Sequence, residues 1–313
     1  MPEPIIDTHA LTRDFGEKRA VDALDLSIRP GELFGLVGPD GAGKTTTLRL
    51  LAGLLKVTGG TAIVAGYDLV KEPEAIKPRI GYMAQQFSMY GELSVLENLH
   101  FFAEIYRVPS GELAARTARL LKFAGLAEFT DRRAAHLSGG MQKKLALACT
   151  LIHQPQILLL DEPTTGVDPV SRREFWSILT GLHAQGTTIV VSTPYMDEAD
   201  RCAVVGLIYQ GRLAMCAPPA QIRSRVPGEM VELIPGDGRA ARRVLAEMPG
   251  VLEIQTYGES LHVLVDSAGR RLPRLEGALR EHEIAYKNIR QASPRMEEAF
   301  ISLLRQMNED EEE

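Results

Sequence analysis

The stretch Leu36-Val37-Gly38-Pro39-Asp40-Gly41-Ala42-Gly43-Lys44-Thr45-Thr46 constrains this chain more than any other. Residues 33–37 are an apolar run that predicts a buried strand, and Lys44, Thr45 and Thr46 open a helix that carries Leu48, Leu50 and Leu51. Between them, Gly38, Gly41 and Gly43 let the chain bend tightly with nothing projecting inward. Glycines at this spacing, in a strand–loop–helix context, form a phosphate-binding loop. The order is dictated by chemistry. Backbone N–H groups face a polyphosphate, and the helix N-terminus adds partial positive charge. Lys44 reaches the β- and γ-phosphates, and the Thr45 hydroxyl is suited to ligate Mg²⁺. A triphosphate and Mg²⁺ are therefore the expected ligands.

A second apolar run, Ile157-Leu158-Leu159-Leu160, ends in Asp161-Glu162-Pro163. Such a run is a strand buried on both faces, as in a parallel sheet. Two carboxylates at its C-terminal end stand where α/β proteins place chemistry. Asp161 suits the Mg²⁺ shell, and Glu162 suits orienting or deprotonating an attacking water. Residues 79–85 read as another buried strand ending in Gln85, whose carbonyl oxygen can face Mg²⁺ or a water. Residues 187–192 are a further strand, and 204–209 with 212–215 a closing hairpin around Gln210-Gly211. Strands alternating with helices around a phosphate loop imply an α/β fold with helices on both faces.

Residues 5–11 and 21–28 read as strands joined by the polar turn Gly16-Glu17-Lys18, preceded by Phe15, an aromatic that either stacks on a purine or packs. Thr58-Gly59-Gly60-Thr61 reads as a turn into a short strand. Residues 87–151 are mainly helical. Phe87, Tyr90, Phe101, Phe102 and Tyr106 crowd their start, most expected in the core and some able to line a groove for a partner's helix. Leu137-Ser138-Gly139-Gly140-Met141 then opens another helix, with Ser138 as a cap and two glycines that let a phosphate approach the backbone. Asp168-Pro169 starts the helix over 170–183.

At 313 residues two domains are expected. A net charge of −6 gives no general reason for nucleic-acid binding. Cys149, Cys202 and Cys216 lack metal-ligand spacing and fit a reducing compartment. No apolar run approaches the roughly 20 residues of a membrane-spanning helix, and Met1-Pro2-Glu3-Pro4 lacks the features of a signal peptide. Any membrane role is thus expected to come through a partner.

From about Ala217 the character changes, with Pro218-Pro219 as a break. Strand 230–234, helix 239–247, hairpin 251–256 and 261–265, helix 271–280 and strand 284–289 follow in β-α-β-β-α-β order. That order predicts a small ferredoxin-like domain over 221–307, closed by a helix over 297–307. His262 and His282 read as ordinary surface or packing residues, and the acidic tail 308–313 as disordered. The domain's role is regulatory, dimer-forming or simply structural.

With these pieces in order, residues 1–220 resemble the nucleotide-binding domain of ABC transporters. The sequence of phosphate loop, Gln85, Leu137-Ser138-Gly139-Gly140-Met141, Asp161-Glu162 and Asp168 is far more specific than any one part. The resemblance implies a P-loop ATPase with an antiparallel β subdomain and a helical subdomain at about 87–151. It implies that Ser138, Gly139 and Gly140 complete a partner's site across a head-to-tail dimer, with Asp168 at the dimer contact. Phe15 matches the adenine-stacking aromatic. Gln85 matches the residue that touches Mg²⁺ and couples to an integral-membrane permease, on the cytoplasmic face of the membrane. Asp40, where Asn is commoner, and Pro294-Arg295-Met296-Glu297-Glu298-Ala299-Phe300 resemble bacterial type-2 drug exporters, most closely the N-terminal ATPase half of a tandem efflux subunit.

One position departs from the family pattern. Pro194 stands where members usually carry a switch histidine, and proline offers neither an imidazole nor a backbone N–H. This fits either a heteromer, in which a weak site is paired with a better one, or a homodimer that hydrolyses slowly using Glu162. A soluble ATPase that remodels RNA, ribosomes or DNA is disfavoured by the net acidity and by the lack of a second ATPase domain or a long coiled-coil insertion in the sequence. A nucleotide sensor that barely hydrolyses is the neighbouring alternative.

Overall fold

The computed structural model describes the backbone of residues 3–312 and the side chains of residues 3–305. The chain forms two compact units that divide between Pro218 and Pro219.

The first unit runs β1 (Ile6–Phe15), β2 (Lys18–Ile28), β3 (Leu33–Val37), α1 (Lys44–Leu51), β4 (Gly59–Val64), β5 (Tyr67–Asp68), α2 (Pro73–Ile76), β6 (Ile80–Met83), α3 (Val95–Ile105), α4 (Ser110–Ala124), α5 (Gly139–Leu151), β7 (Ile157–Asp161), α6 (Pro169–Ala184), β8 (Thr188–Thr193), α7 (Met196–Ala199), β9 (Val204–Tyr209) and β10 (Arg212–Ala217). One sheet has the order β10-β9-β3-β8-β7-β6, parallel except for the β9–β10 hairpin. Every residue of β3, β7 and β8 is buried, which is why β3 and β7 are nearly unbroken apolar runs and β8 carries Ile189, Val190 and Val191 at its centre. The other sheet, β2-β1-β4-β5, is antiparallel. Phe34, Leu36, Leu159 and Val190 of the parallel sheet share a core with Ile6, Leu24 and Ile28 of the antiparallel one and with Leu48 of α1. Register then decides where the polar residues go. Val37 lies opposite Thr193, and Asp161 opposite Ser192, so three strands end at one level.

Several boundaries differ from the sequence reading. The hairpin of β1 and β2 runs to the turn because Gly16 takes φ 60°, so Lys18 belongs to a strand. The expected turn at 58–61 is already β4; Gly60 adopts φ 77°, and a Cβ there would lie 2.1 Å from the Ala10 carbonyl. The strand expected over 79–85 stops at Met83, leaving Gln85 outside the ladder. In the helical region, a reciprocal Ser94–Glu97 capping box starts α3. Its buried face is Val95, Asn98, Leu99 and Ala103, and none of Phe87, Tyr90, Phe101, Phe102 or Tyr106 is buried. The expectation that most of these rings are core is therefore corrected: Val95, Asn98, Leu99 and Ala103 fill the helix seam, and the rings pair edge to face outside it (Tyr90–Phe101 4.5 Å, Phe101–Phe102 5.6 Å).

The second unit runs α8 (Pro219–Arg223), β11 (Glu229–Pro235), α9 (Gly238–Ala246), β12 (Val251–Tyr257), β13 (Ser260–Val265), α10 (Ala268–Glu281), β14 (Tyr286–Ala292) and α11 (Met296–Glu312). Its antiparallel sheet has the order β12-β13-β11-β14, the ferredoxin-like arrangement. Val231, Leu233, Val263 and Val265 pack with Ala241, Leu245, Leu275 and Leu279. The last strand extends to Ala292 because Met230 pairs with it. The tail expected to be disordered continues the final helix to Glu312, in keeping with the helix propensity of its glutamates; Glu313 lies outside the described residues. His282 is exposed, whereas His262 is buried.

Candidate functional site

The polar residues predicted from sequence converge at the level strand ends. Gly43 takes φ 108°, and a Cβ there would meet the Ala20 carbonyl at 2.5 Å, so only glycine lets the loop pass β2 into α1. The loop and its neighbours bound a cleft of about 440 Å³ lined by Phe15, Lys18, Ala20, Asp40, Gly41, Gly43, Lys44, Thr45, Thr46, Gln85 and Glu162. Gly38, Pro39 and Ala42 sit behind this lining: the carbonyls of Gly38 and Pro39 accept from Lys44 Nζ at 2.8 and 2.9 Å, and Ala42 is buried. Lys44 Nζ also lies 3.2 Å from Glu162 Oε1. Phe15 is 45% exposed, with the Arg13 guanidinium 4.4 Å from its ring centroid. This is a ring at the cleft's rim, not a core aromatic.

Asp161 is fully buried and fixed from three sides. Its Oδ1 accepts from Thr45 Oγ1 (2.9 Å) and Ser192 Oγ (2.8 Å), and its Oδ2 from Tyr82 OH (3.2 Å). Glu162 follows in a left-handed backbone conformation, φ 44°, which costs a non-glycine residue about 1 kcal/mol or more. Its N–H is held by Ser192 Oγ and the Ser192 carbonyl, at 3.0 and 3.1 Å. The bend turns the carboxylate toward the loop, where Oε2 accepts from Gln85 Nε2 (2.8 Å) and Thr165 Oγ1 (3.2 Å). Lys143 of α5 is nearly buried and donates to the Gln85 carbonyl. Burial lowers the Lys143 pKa, opposed by the Asp161 and Glu162 charges. Burial likewise raises the Tyr82 phenol.

Thr45, Asp161 and Gln85 supply a hydroxyl, a carboxylate and an amide, an all-oxygen donor set of the kind a hard divalent cation takes. Among the described residues no cluster of three His, Cys, Asp or Glu side chains competes with it.

Ser138, Gly139, Gly140 and Asp168 do not line this cleft. They form a second group. Ser138 Oγ caps α5 by accepting from Met141 N at 3.3 Å, and Asp168 caps α6 by accepting from Val170 N and Ser171 N at 3.0 Å each. The hydrogen bonds from Ser171 hold the Asp168 carboxyl below its usual pKa. A Cβ at Gly140 would lie 2.6 Å from Ser171, so the two helix starts pack through that glycine.

The sequence reading missed Tyr82, Ser192, Thr165 and Lys143. Each lies near a motif residue in sequence or on an adjacent strand end, but side-chain type alone gave no signal.

The family described as ABC transporter matches residues 21–165. The chain is 41% identical over 312 residues to the probable multidrug ABC transporter ATP-binding protein YbhF of Escherichia coli (strain K12), covering 97% of this chain and 53% of that protein. It is 38% identical over 270 residues to the Nod factor export ATP-binding protein I of Paraburkholderia xenovorans (86% and 88% covered). It is 33% identical over 308 residues to the daunorubicin/doxorubicin resistance ATP-binding protein DrrA of Streptomyces peucetius (96% and 93%). An ATP-binding cassette solved as a dimer in a post-hydrolysis state with ADP and Pi is similar at TM-score 0.62 and 28% identity, covering 68% of this chain and 98% of that one. A P-loop ATPase fold with this donor set defines the class, and the chain belongs to the ABC transporter family, among its ATP-binding proteins. It spans about half the length of the first relative named, 53%.

Proposed function

We propose that this chain is the ATP-hydrolysing motor subunit of a membrane ABC exporter of drugs or other amphiphiles. It acts as a head-to-tail dimer with itself or with a second ATPase subunit, on the cytoplasmic face of the membrane, bound to integral-membrane permease subunits. The relatives named for a multidrug ABC transporter, for Nod factor export and for daunorubicin/doxorubicin resistance support this reading. No helix among the described residues is long and apolar enough to cross a membrane.

Gly38 to Thr46 grip the polyphosphate through backbone amides and the Lys44 ammonium, and Phe15 stacks on adenine. Thr45, Asp161 and Gln85 would hold Mg²⁺, which would polarise the phosphoryl oxygens when bound. Glu162 orients a water for in-line attack on the γ-phosphorus and accepts its proton as the bond to ADP breaks. Ser138, Gly139 and Gly140 act on the partner's nucleotide, and Asp168 lies at the dimer contact. The single observation that carries the reading is the Glu162 carboxylate. It is bent out of a buried strand toward the phosphate loop, 3.2 Å from Lys44 Nζ and 2.8 Å from Gln85 Nε2. Pro194 in place of an imidazole supports a weakened site of its own.

Turnover of Mg·ATP by the full chain, alone and with its co-purifying permease, tests this. Glu162→Gln lowers kcat at least about a hundredfold, the contribution of a positioned general base, with ATP still bound. Folded wild-type chain that fails to bind labelled Mg·ATP overturns the proposal.

A further inference from the structure

Glu198 is fully buried in α7, outside every sequence motif, and collects four side-chain donors. Its Oε1 accepts from Thr164 Oγ1 (2.7 Å), Arg172 Nε (2.6 Å) and Trp176 Nε1 (2.8 Å), and its Oε2 from Thr193 Oγ1 (2.6 Å). These donors come from three places that surround the site. Thr164 is two residues beyond Glu162, Arg172 and Trp176 lie on the helix that Asp168 caps, and Thr193 ends β8 just before Pro194.

The Thr193 hydroxyl has two jobs. It donates to Glu198 and accepts from Tyr195 N at 3.1 Å, so it closes the turn around Pro194. Arg172 braces the same turn from outside, lying 4.5 Å from the Tyr195 ring centroid and pairing with Asp197 at 2.8 Å. The turn at the position of the missing imidazole is thus fixed by the protein itself. A carboxylate with all four donors inside the fold is a rigid node, because losing any one of them leaves a buried charge less satisfied.

We infer that Glu198 is a positioning residue for hydrolysis: it locks the Glu162–Thr164 segment, the start of α6 and the Thr193–Tyr195 turn into one frame. The inference rests on the proposed ATPase function. A reacting group displaced by about 1 Å loses up to about 100-fold in rate, and this frame is what keeps Glu162 in place in a site that lacks the switch histidine.

The test is a hydroxyl-specific pair at the far end of the network. Thr193→Val removes the bond to Glu198 and keeps shape, and Thr193→Ser restores the hydroxyl. In the full chain, Thr193→Val lowers kcat about tenfold, within the cost of misplacing a reacting group, while the ATP Kd stays within twofold. Thr193→Ser returns kcat to near wild type. Glu198→Gln, which keeps the acceptor on the three-donor side, also lowers kcat, and its effect does not add to that of Thr193→Val. If wild type turns over ATP and Thr193→Val does so equally fast, the inference is wrong. A loss in Thr193→Val that Thr193→Ser does not rescue is also against it, since the hydroxyl would then not be the cause. Should wild type neither bind nor hydrolyse ATP, the proposed function falls first and the inference with it.

Discussion

The two units bury their acids in different ways. In the first, Asp161 and Glu162 sit at the C-terminal end of an interior strand of the sheet, and their partners Lys44, Thr45 and Gln85 line a cleft. In the second, Glu298 is almost fully buried on α11; Oε1 bonds His262 Nδ1 and Oε2 the Arg295 N–H, each at 2.6 Å. A neighbouring hollow does not separate them, since His262 and Glu298 also border a cavity of about 210 Å³. Backbone and partners do. Glu162 occupies a strained φ of 44°, while Glu298 follows ordinary helical geometry and draws its partners from the residue just before its helix and from β13. An acid held in strain, with partners that also face a cleft, can trade those partners for a ligand. An acid paired inside a sheet–helix seam holds the seam together.

The strongest way to break this contrast is to remove His262. His262→Leu leaves the Glu298 carboxylate without its buried hydrogen-bond partner and destabilises the second unit by about 3 kcal/mol, the upper range for leaving a buried polar group unsatisfied. Urea unfolding of the full chain reads this, and the ATP Kd of the folded protein stays unchanged. A weakened Kd with unaltered stability would reverse the roles assigned to the two clusters.

A second, smaller effect is a pH dependence confined to the first unit. His153 stacks on Tyr106 at 3.8 Å and faces the Ile80 carbonyl at 3.2 Å. Burial pushes its pKa from 6.5 down to about 4. From about pH 6.5 down to about 4, the unfolded chain takes up a proton that the folded chain refuses, so stability falls as pH drops through that window. Above pH 6.5 both states are neutral and the effect vanishes. His153→Phe keeps the stack and flattens this slope, measured as the urea midpoint at pH 7 and pH 5. A slope unchanged in the variant assigns the acid sensitivity to other groups.

How legible each region was follows from where its information lies along the chain. Gly38 to Thr46 and Asp161-Glu162 are contiguous, with residue types that phosphate chemistry asks for, so they could be named before any fold was known; Ser138-Gly139-Gly140 is a weak motif alone and was legible only through its order among the others. The β-α-β-β-α-β order of the second unit was legible for the same reason, being a matter of local periodicity. Strand ends at Phe15, Met83 and Ala292 were not, because pairing with a neighbour sets them and propensity does not. Least legible was Glu198, whose donors are spread over Thr164, Arg172, Trp176 and Thr193; only the packing of α6 and α7 against β8 brings them together. His262 read as unremarkable because its partner, Glu298, lies 36 residues away along the chain.

The smallest expected change is at Pro194, and it sharpens the contrast most directly. Proline there offers no hydrogen-bond donor, while Thr193, Tyr195 and Arg172 already fix the turn around it. Pro194→His therefore adds a donor at a preset position without having to build the turn. The gain is about fivefold in kcat, the effect of one net hydrogen bond of about 1 kcal/mol made in the transition state, and KM changes little. The same substitution in a Thr193→Val background gives no gain, because the imidazole then hangs from a loosened turn. A rate unchanged by Pro194→His in folded, ATP-binding protein would mean that the missing imidazole does not limit turnover. The strained Glu162 and its frame would then be the whole of this site's hydrolytic capacity.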